Sequence, residues 1–439
     1  MKRLATILLL FSSVQAQKKT AEWKDSLNPA VFSLTMVMMH DVVNPPAASR
    51  YYAYATMAAY EIVSQNDSSV VPLNSFIKAY QRPTIFYNKA KYDYRIAAVY
   101  SILEMGKRLL PSGYLLQSQQ DKLLAQLKKK KIAPRIIAQS VKVAEEISAH
   151  IVRYSTDDNY NKLSAMRRYT PTKNEGDWYP TPPSYMEAVE PHWKTIRPII
   201  IDSSNQFPPQ PEVPFSKDTA SAFYKLAKEV YEVSNKADAQ QMAIAGYWDC
   251  NPFVVATSGH MMLGFKKISP GGHWMNIAGI AAQKAKLNFN QTIITQTLTA
   301  ITLMDAFISC WDEKYRSNRI RPETYINRYI DAKWQPLLQT PPFPEYTSGH
   351  SVISTASAGV LSYLLGNNFT FTDNTELMFE LPERHFSSFT EAANEAAISR
   401  LYGGIHYRDS IEYGQEEGKA ISKKIVDVLI ASGIQPFLF

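Results

Sequence analysis

The chain has 439 residues, 45% hydrophobic and 20% charged, with a formal charge of +7. That balance excludes an intrinsically disordered chain and leaves enough length for two or three domains' worth of core. The mild basic excess reads as solvated surface compatible with a small anionic substrate. Apart from Lys128 to Lys131, no stripe of basic residues interleaved with aromatics marks a nucleic-acid partner.

In chain order, residues 1–16 read MKRLATILLLFSSVQA: two basic residues, a short apolar run, then Val14-Gln15-Ala16. This is the pattern of a cleaved secretory signal peptide, and the apolar run is far shorter than the ~20 residues of a membrane span. Losing Lys2 and Arg3 with it lowers the formal charge to about +5. An exported protein, periplasmic or secreted, is expected. No later stretch reads as long and apolar enough to span.

Residues 17–168 predict an N-terminal helical region. NPAVFSLTMVMMHDVV, SRYYAYATMAAYEIVSQ, YDYRIAAVYSILEMGKRLL and PRIIAQSVKVAEEISAHIVRYS all place apolar residues at three and four spacing. Asn44-Pro45-Pro46 and Pro111-Ser112-Gly113 mark breaks. His40 and His150 read as packed or surface histidines. Residues 169–215 carry ten prolines between Pro171 and Pro214. The tryptophans and Pro198-Ile199-Ile200-Ile201 in that stretch predict an ordered strap over the helices rather than a flexible linker.

Residues 216–439 predict a second helical region, the catalytic one, and the sum is an all-α helical bundle. SKDTASAFYKLAKEVYEVSNKADAQQMAIAGYW is amphipathic, and QTIITQTLTAITLMDAFISCWDEKY reads as buried. Between them, Ser258-Gly259-His260 is a decoy, and Gly271-Gly272-His273-Trp274 reads as a glycine turn, with a pocket rim as its functional reading. Residues 368–386 read as an irregular connection that could bring His385 near a pocket mouth. Only Cys250 and Cys310 occur, and Cys310 stands on the apolar run, so buried thiols are expected before a disulfide.

The chemically dense stretch is 311–350, followed by SRLYGGIHYRDS at 399–410. Lys314 and Arg321 are seven residues apart, so on one helix they would share a face, roughly 10 Å apart along the axis. Pro322 disfavours helix in the residue before it, which puts Arg321 at a helix end. Thr347 or Ser348 would cap the helical run SVISTASAGVLSYLL. Gly349 lets an anion approach the free amides of that helix start, and His350 in the first turn could move a proton there. Gly403-Gly404 breaks the helix that carries Arg400, without which Arg400 and His406 would point apart. Fixed cations, two histidines and a glycine turn make an oxyanion site. The positive excess suits anion binding better than acyl transfer by a Ser348 nucleophile. No His-Glu-x-x-His or cysteine cluster supports a divalent metal site.

Lys314-x6-Arg321-Pro322, then Ser348-Gly349-His350, then Ser399-Arg400-x5-His406 resemble the three-part signature shared by vanadium-dependent haloperoxidases and the type 2 phosphatidic acid phosphatases. DAFISCWDEKY, PPFPEYTSGH and WYPTPPSYMEAVEPHWKTIRPIII resemble the haloperoxidase branch. Two departures stand out. Thr347 replaces the usual proline, and Ser410 occupies the place of the usual aspartate, with Asp409 one position early. Whether Asp409, Ser410 or Glu412 orients His406 stays open.

The resemblance implies vanadate as cofactor, or phosphate in the same site, with His406 as the protein ligand of vanadium. Lys314, Arg321, Ser348, Gly349 and Arg400 would neutralise its oxygens. His350 would help deprotonate hydrogen peroxide, and Lys314 would polarise it so that a halide is oxidised to hypohalous acid. Phe343 holds the position where chloroperoxidases carry phenylalanine and bromoperoxidases histidine, which assigns it to a halide pocket. The alternatives are an exported acid phosphatase that works through a phosphohistidine at His406, and a non-catalytic oxyanion-binding homologue.

Overall fold

The three-and-four apolar spacing of the first third folds as five helices. The structure, a computed structural model, describes residues 26–84, 91–258, 261–264 and 266–437, so the leader reading at 1–16 lies outside the described residues. The five are α1 (26–40), α2 (Pro45–Asn66), α3 (Tyr94–Leu109), α4 (Gln117–Lys129) and α5 (Pro134–Thr156). The Asn44 side chain caps α2 by accepting from the Ala47 amide, and Pro45 takes the first helical position, where a missing N–H costs nothing. His40 is exposed beside Asp41, and His150 bonds the Gln81 carbonyl.

The second half follows as α6 (Ala222–Asn235), α7 (Ala239–Tyr247), α8 (Pro270–Lys284), α9 (Phe289–Ser317), α10 (Pro322–Tyr329), α11 (Gly349–Leu365), α12 (Phe389–Tyr402) and α13 (Arg408–Ala431). Among the described residues the bundle is all-α apart from two small antiparallel hairpins. One pairs Val255–Ser258 (β1) with Met261–Gly264 (β2), flanking the decoy, whose Gly259 and His260 lie outside the described residues. The other pairs Phe371–Asp373 (β3) with Arg384–Phe386 (β4), so the connection expected to be irregular at 368–386 holds a short sheet. His385 stands exposed there, bonded to Thr372. The glycine turn expected at 271–274 is instead the first turn of α8, because Ser269 caps it and Pro270 starts it.

Helix α9 is the axis of the assembly, packing against α2, α8, α11 and α13. Every residue from Thr292 to Lys314 is buried. Thr299 and Thr302 fit this environment by returning their hydroxyls to their own helix, at the Thr295 and Leu298 carbonyls, while Thr297 donates to the Thr56 carbonyl of α2. By length and apolarity α9 could cross a membrane, contrary to the sequence expectation, but 94% of its most apolar window is buried inside this protein.

The proline-rich segment has a specific anchor on α9. The backbone amides of Ile199, Ile200 and Ile201 all donate to the carboxylate of Asp305, at 2.7 to 3.0 Å. Trp178 and Trp193 of the same segment are fully buried. Nearer the site, the Val189 carbonyl accepts from Trp311 Nε1 and from the Tyr315 hydroxyl. Cys250 and Cys310 are both free and buried.

Candidate functional site: a cation-lined cavity at the start of α11

Helix α9 ends at Ser317, where Asn318 adopts a left-handed backbone (φ 53°). Lys314 therefore lies in the last turn of α9, while Arg321 sits on the following bend as the residue before α10. The two share a site without sharing a helix, which corrects the single-helix geometry of the sequence reading. Ser348, not Thr347, caps α11: its hydroxyl faces the Ser351 amide at 3.4 Å. Thr347 instead donates its hydroxyl to Glu417. On the far side, α12 carries Arg400 to its last turn, and Gly404 at φ +75° reverses the chain against Trp334 and Pro336. Only glycine takes that conformation without strain. His406 then projects from the bend before α13.

These folds converge on a cavity of about 40 Å³ whose wall includes Gly349, His350, Arg400, His406, Phe343 and Trp311. At ~10–15 Å³ for one water, that space takes a few waters or one small oxyanion. Lys314 and Arg321 lie fully buried just behind this wall. Lys314 Nζ donates to the carbonyls of Pro344, Glu345 and Thr347. Arg321 donates to the carbonyls of Phe343, Pro344 and Ile405. The Phe343 ring stands 5.1 Å from the Lys314 ammonium and 5.1 Å from the Arg321 guanidinium carbon. A Cβ on Gly349 would touch Lys314 Cε at 3.9 Å, so the backbone there comes close to the lysine.

The charge state follows from this packing. Burial pushes Lys314 down to about 8, with Arg321 adding to it, and pushes Arg321 down to about 10 against the pull of Glu345. Burial also lowers Arg400, whose Nη2 donates to the Trp248 carbonyl at 2.8 Å. Three buried cations with so little carboxylate among them are a binding site for an anion.

Both histidines are held neutral. Burial lowers His406 well below the usual range, with Arg321, Lys314 and Arg400 adding to it. Its Nδ1 lies 2.7 Å from Glu345 Oε1 and its Nε2 lies 3.1 Å from Arg321 Nη1. A carboxylate accepts and a guanidinium donates, so the proton is on Nδ1 and Nε2 keeps its lone pair. Burial likewise lowers His350, with Arg400 and His406 repelling its proton, and its Nε2 is buried without a partner among the described residues.

Of the three candidates to orient His406, Asp409 does not touch it, which corrects its placement behind the histidine. Asp409 grips Arg319 bidentately at 2.9 and 3.0 Å, and Arg319 in turn lies 3.4 Å from Glu345. Glu345 orients His406, with the Ser410 hydroxyl 3.4 Å from the same nitrogen. Glu412 pairs with Arg408 at the surface. Glu345 and Arg319 were missed in the sequence. Glu345 lies 61 positions from His406, in a proline-rich turn where a lone acid carries no spacing signal. A charge argument offered the one available hint, because a cluster of buried cations needs at least one buried carboxylate near it.

A family model described as the VCPO second helical-bundle domain matches residues 330–432. No curated protein sequence matches the chain. Among solved structures, a bacterial vanadium-dependent iodoperoxidase is 43% identical with a TM-score of 0.88, over 92% of this chain and 96% of that one. A holo-type bacterial vanadium-dependent chloroperoxidase is 14% identical with a TM-score of 0.64, over 90% of this chain and 94% of that one, a likeness of fold alone.

Proposed function

The chain belongs to the vanadium-dependent haloperoxidases, and on that premise we propose that it oxidises iodide in preference to other halides: hydrogen peroxide, iodide and a proton give hypoiodous acid and water. The donor set fits vanadate. The imidazole Nε2 of His406 offers a lone pair among three buried cations, and this is the observation that carries the reading. When bound, vanadate supplies the Lewis acidity that activates hydrogen peroxide toward the halide.

The residues divide that work by position. His406 Nε2 is the protein atom that holds the cofactor, and the Nδ1–H bond to Glu345 fixes its tautomer and ring plane. Arg321, Arg400 and Lys314 supply positive charge to the oxygens, with the amide end of α11 at Gly349 beside them. Lys314 adds the positive potential that polarises the peroxide oxygen. Ser348 contributes through its place at the cap of that helix. His350, neutral and with Nε2 unpaired, accepts the proton that hydrogen peroxide gives up.

The halide preference rests on the rest of the wall. Phe307, Trp311, Phe343, Pro341 and Pro252 line it beside Asn251 and Gln339; the indole N–H is committed to the Val189 carbonyl, and the two amides donate to the Gln339 and Phe253 carbonyls. A wall with few donors admits most readily the halide that loses least on desolvation, and that cost falls with ionic radius. Phe343, which by resemblance suggests a chloroperoxidase-like pocket, is one part of this surface. The iodoperoxidase named above supports the same choice. The leader at 1–16 adds the reading that the enzyme works outside the cytoplasmic membrane.

The test uses mature, vanadate-loaded protein with hydrogen peroxide and iodide, bromide or chloride in turn, beside a chromogenic phosphate monoester. An iodide kcat/KM at least about tenfold above bromide, near 1.4 kcal/mol of discrimination, is expected. Equal rates with bromide or chloride contradict the halide assignment. Phosphate release that vanadate inhibits, without halide oxidation, contradicts the peroxidase reading itself.

A further inference from the structure

Behind the Arg400 side of the cavity, three segments far apart in sequence meet at one point. Cys250 comes from the loop after α7, His273 from the first turn of α8, and Glu376 from the short turn Thr375–Phe379 after β3. All three are buried, and their ligand atoms lie within 4.8 Å of one another. Cys250 Sγ is 3.5 Å from His273 Nδ1, and that nitrogen is 3.1 Å from Glu376 Oε1. Around a tetrahedral zinc with bonds of ~2.0–2.3 Å, neighbouring donor atoms stand roughly 3.3–3.6 Å apart. Two edges of that tetrahedron are already close to this spacing, and the third pair of atoms lies within 4.8 Å.

The surroundings favour a cation as well. His273 Nε2 lies 2.7 Å from Asp373 Oδ2, and the other oxygen of Asp373 accepts from the Thr375 amide and hydroxyl. With its proton directed to that carboxylate, the ring turns a bare Nδ1 toward Cys250 and Glu376, the arrangement by which an outer carboxylate orients a ligating histidine. Glu376 Oε1 is buried with no hydrogen-bond partner among the described residues. Two carboxylates and a thiolate around a dication, beside the Arg400 guanidinium, leave the cluster close to neutral. The sequence reading missed this set because its members run from position 250 to 376 with no short spacing to mark them.

We propose that Cys250, His273 and Glu376 bind a divalent cation, zinc by their ligand chemistry, with Asp373 orienting the histidine and a fourth position left to water. The site is a strut for the cavity wall. Trp248 stacks on His273 with ring centroids 4.6 Å apart, and the Trp248 carbonyl is the acceptor that holds Arg400. Cys250 itself lines the cavity, so metal ligation also shields a thiol that faces the oxidant. The competing occupant is a proton, which would make His273 an imidazolium between Asp373 and Glu376. Burial opposes that charge, while Asp373 at 2.7 Å and the Cys250 sulfur favour it and carry the metal-free imidazole above its usual range.

Elemental analysis of untagged protein purified without chelators distinguishes the two. About one zinc per chain, counted separately from vanadium, is expected. Chelator-treated wild-type protein given cobalt(II) is expected to show a thiolate charge-transfer band and the visible bands of a tetrahedral site. Cys250→Ala is expected to lose the charge-transfer band, and Asp373→Asn to weaken zinc binding by roughly 10–100-fold. Wild-type protein with less than about 0.1 zinc per chain and no cobalt band overturns the proposal in favour of the proton. A cobalt thiolate band that survives Cys250→Ala overturns it too. Neither readout depends on halide oxidation, so the site stands or falls apart from the enzyme's activity.

Discussion

Arg321 donates from Nη1 to His406 Nε2 at 3.1 Å, so a guanidinium holds the lone pair that would bind the cofactor. With Glu345 on the opposite nitrogen, His406 is held in a single tautomer between an acceptor and a donor. The site is thus pre-organised, with a cation beside the atom that would hold an anionic cofactor.

The first prediction concerns pH. Both histidines have folded pKa values well below 6.5, because burial and the neighbouring cations disfavour their charged forms. At pH below about 6.5 the unfolded chain binds protons that the folded chain does not, so vanadate-free protein loses stability as pH falls through that window. An added oxyanion compensates the cations and reduces the loss. Thermal unfolding at pH 5 and pH 7.5, with and without vanadate, measures both effects.

Glu345→Gln keeps the shape and removes the charge that orients His406 and pairs with Arg319. Vanadate affinity is expected to fall roughly 10–100-fold, the usual cost of losing a partner behind a metal ligand. Ser410→Ala, at 3.4 Å from the same nitrogen, is expected to change it far less. Equilibrium titration with vanadate compares the two.

Much of this site was legible because its cations and histidines cluster near helix ends that the sequence marks locally. Pro322 places Arg321, the Ser348-Gly349 pair starts α11, and Gly403-Gly404 stops α12. The groups that hold those residues in place were not legible. Glu345, Arg319 and Asp409 act across 61 to 90 positions, and only the folded chain brings them together. The same holds for the fold: amphipathic spacing announced the helices, whereas the Asp305 carboxylate that receives three strap amides looks like any acid on an apolar helix. Ser410 in place of aspartate directed attention to its neighbours 409 and 412, while the orienting carboxylate came from another segment.

Asp305→Ala strands those three buried amides. At about 1–3 kcal/mol for each unpaired group, a loss of roughly 3 kcal/mol or more is expected, read as a large drop in Tm. A change within the scatter of surface substitutions contradicts the anchoring role.

Glu417 is fully buried and accepts from the hydroxyls of Ser309 and Thr347 at 2.7 and 2.8 Å. Burial raises its pKa to about 7, from ~4.3 for a free glutamate. The folded chain therefore binds the extra proton between those values, and stability falls as pH rises through the window. Glu417→Gln is expected to raise stability at pH 8 by up to about 3 kcal/mol and to change it little at pH 4.5. Urea unfolding at the two pH values gives the comparison.

The most direct test of the site's assignment separates holding the cofactor from moving the proton. Vanadate binding and iodide oxidation are measured together for wild-type protein, His406→Ala and His350→Ala. His406→Ala is predicted to lose vanadate-dependent oxidation through lost binding. His350→Ala is predicted to keep vanadate and turn over about 10²–10⁴-fold more slowly. Vanadate-dependent oxidation at the wild-type rate in His406→Ala would contradict that assignment.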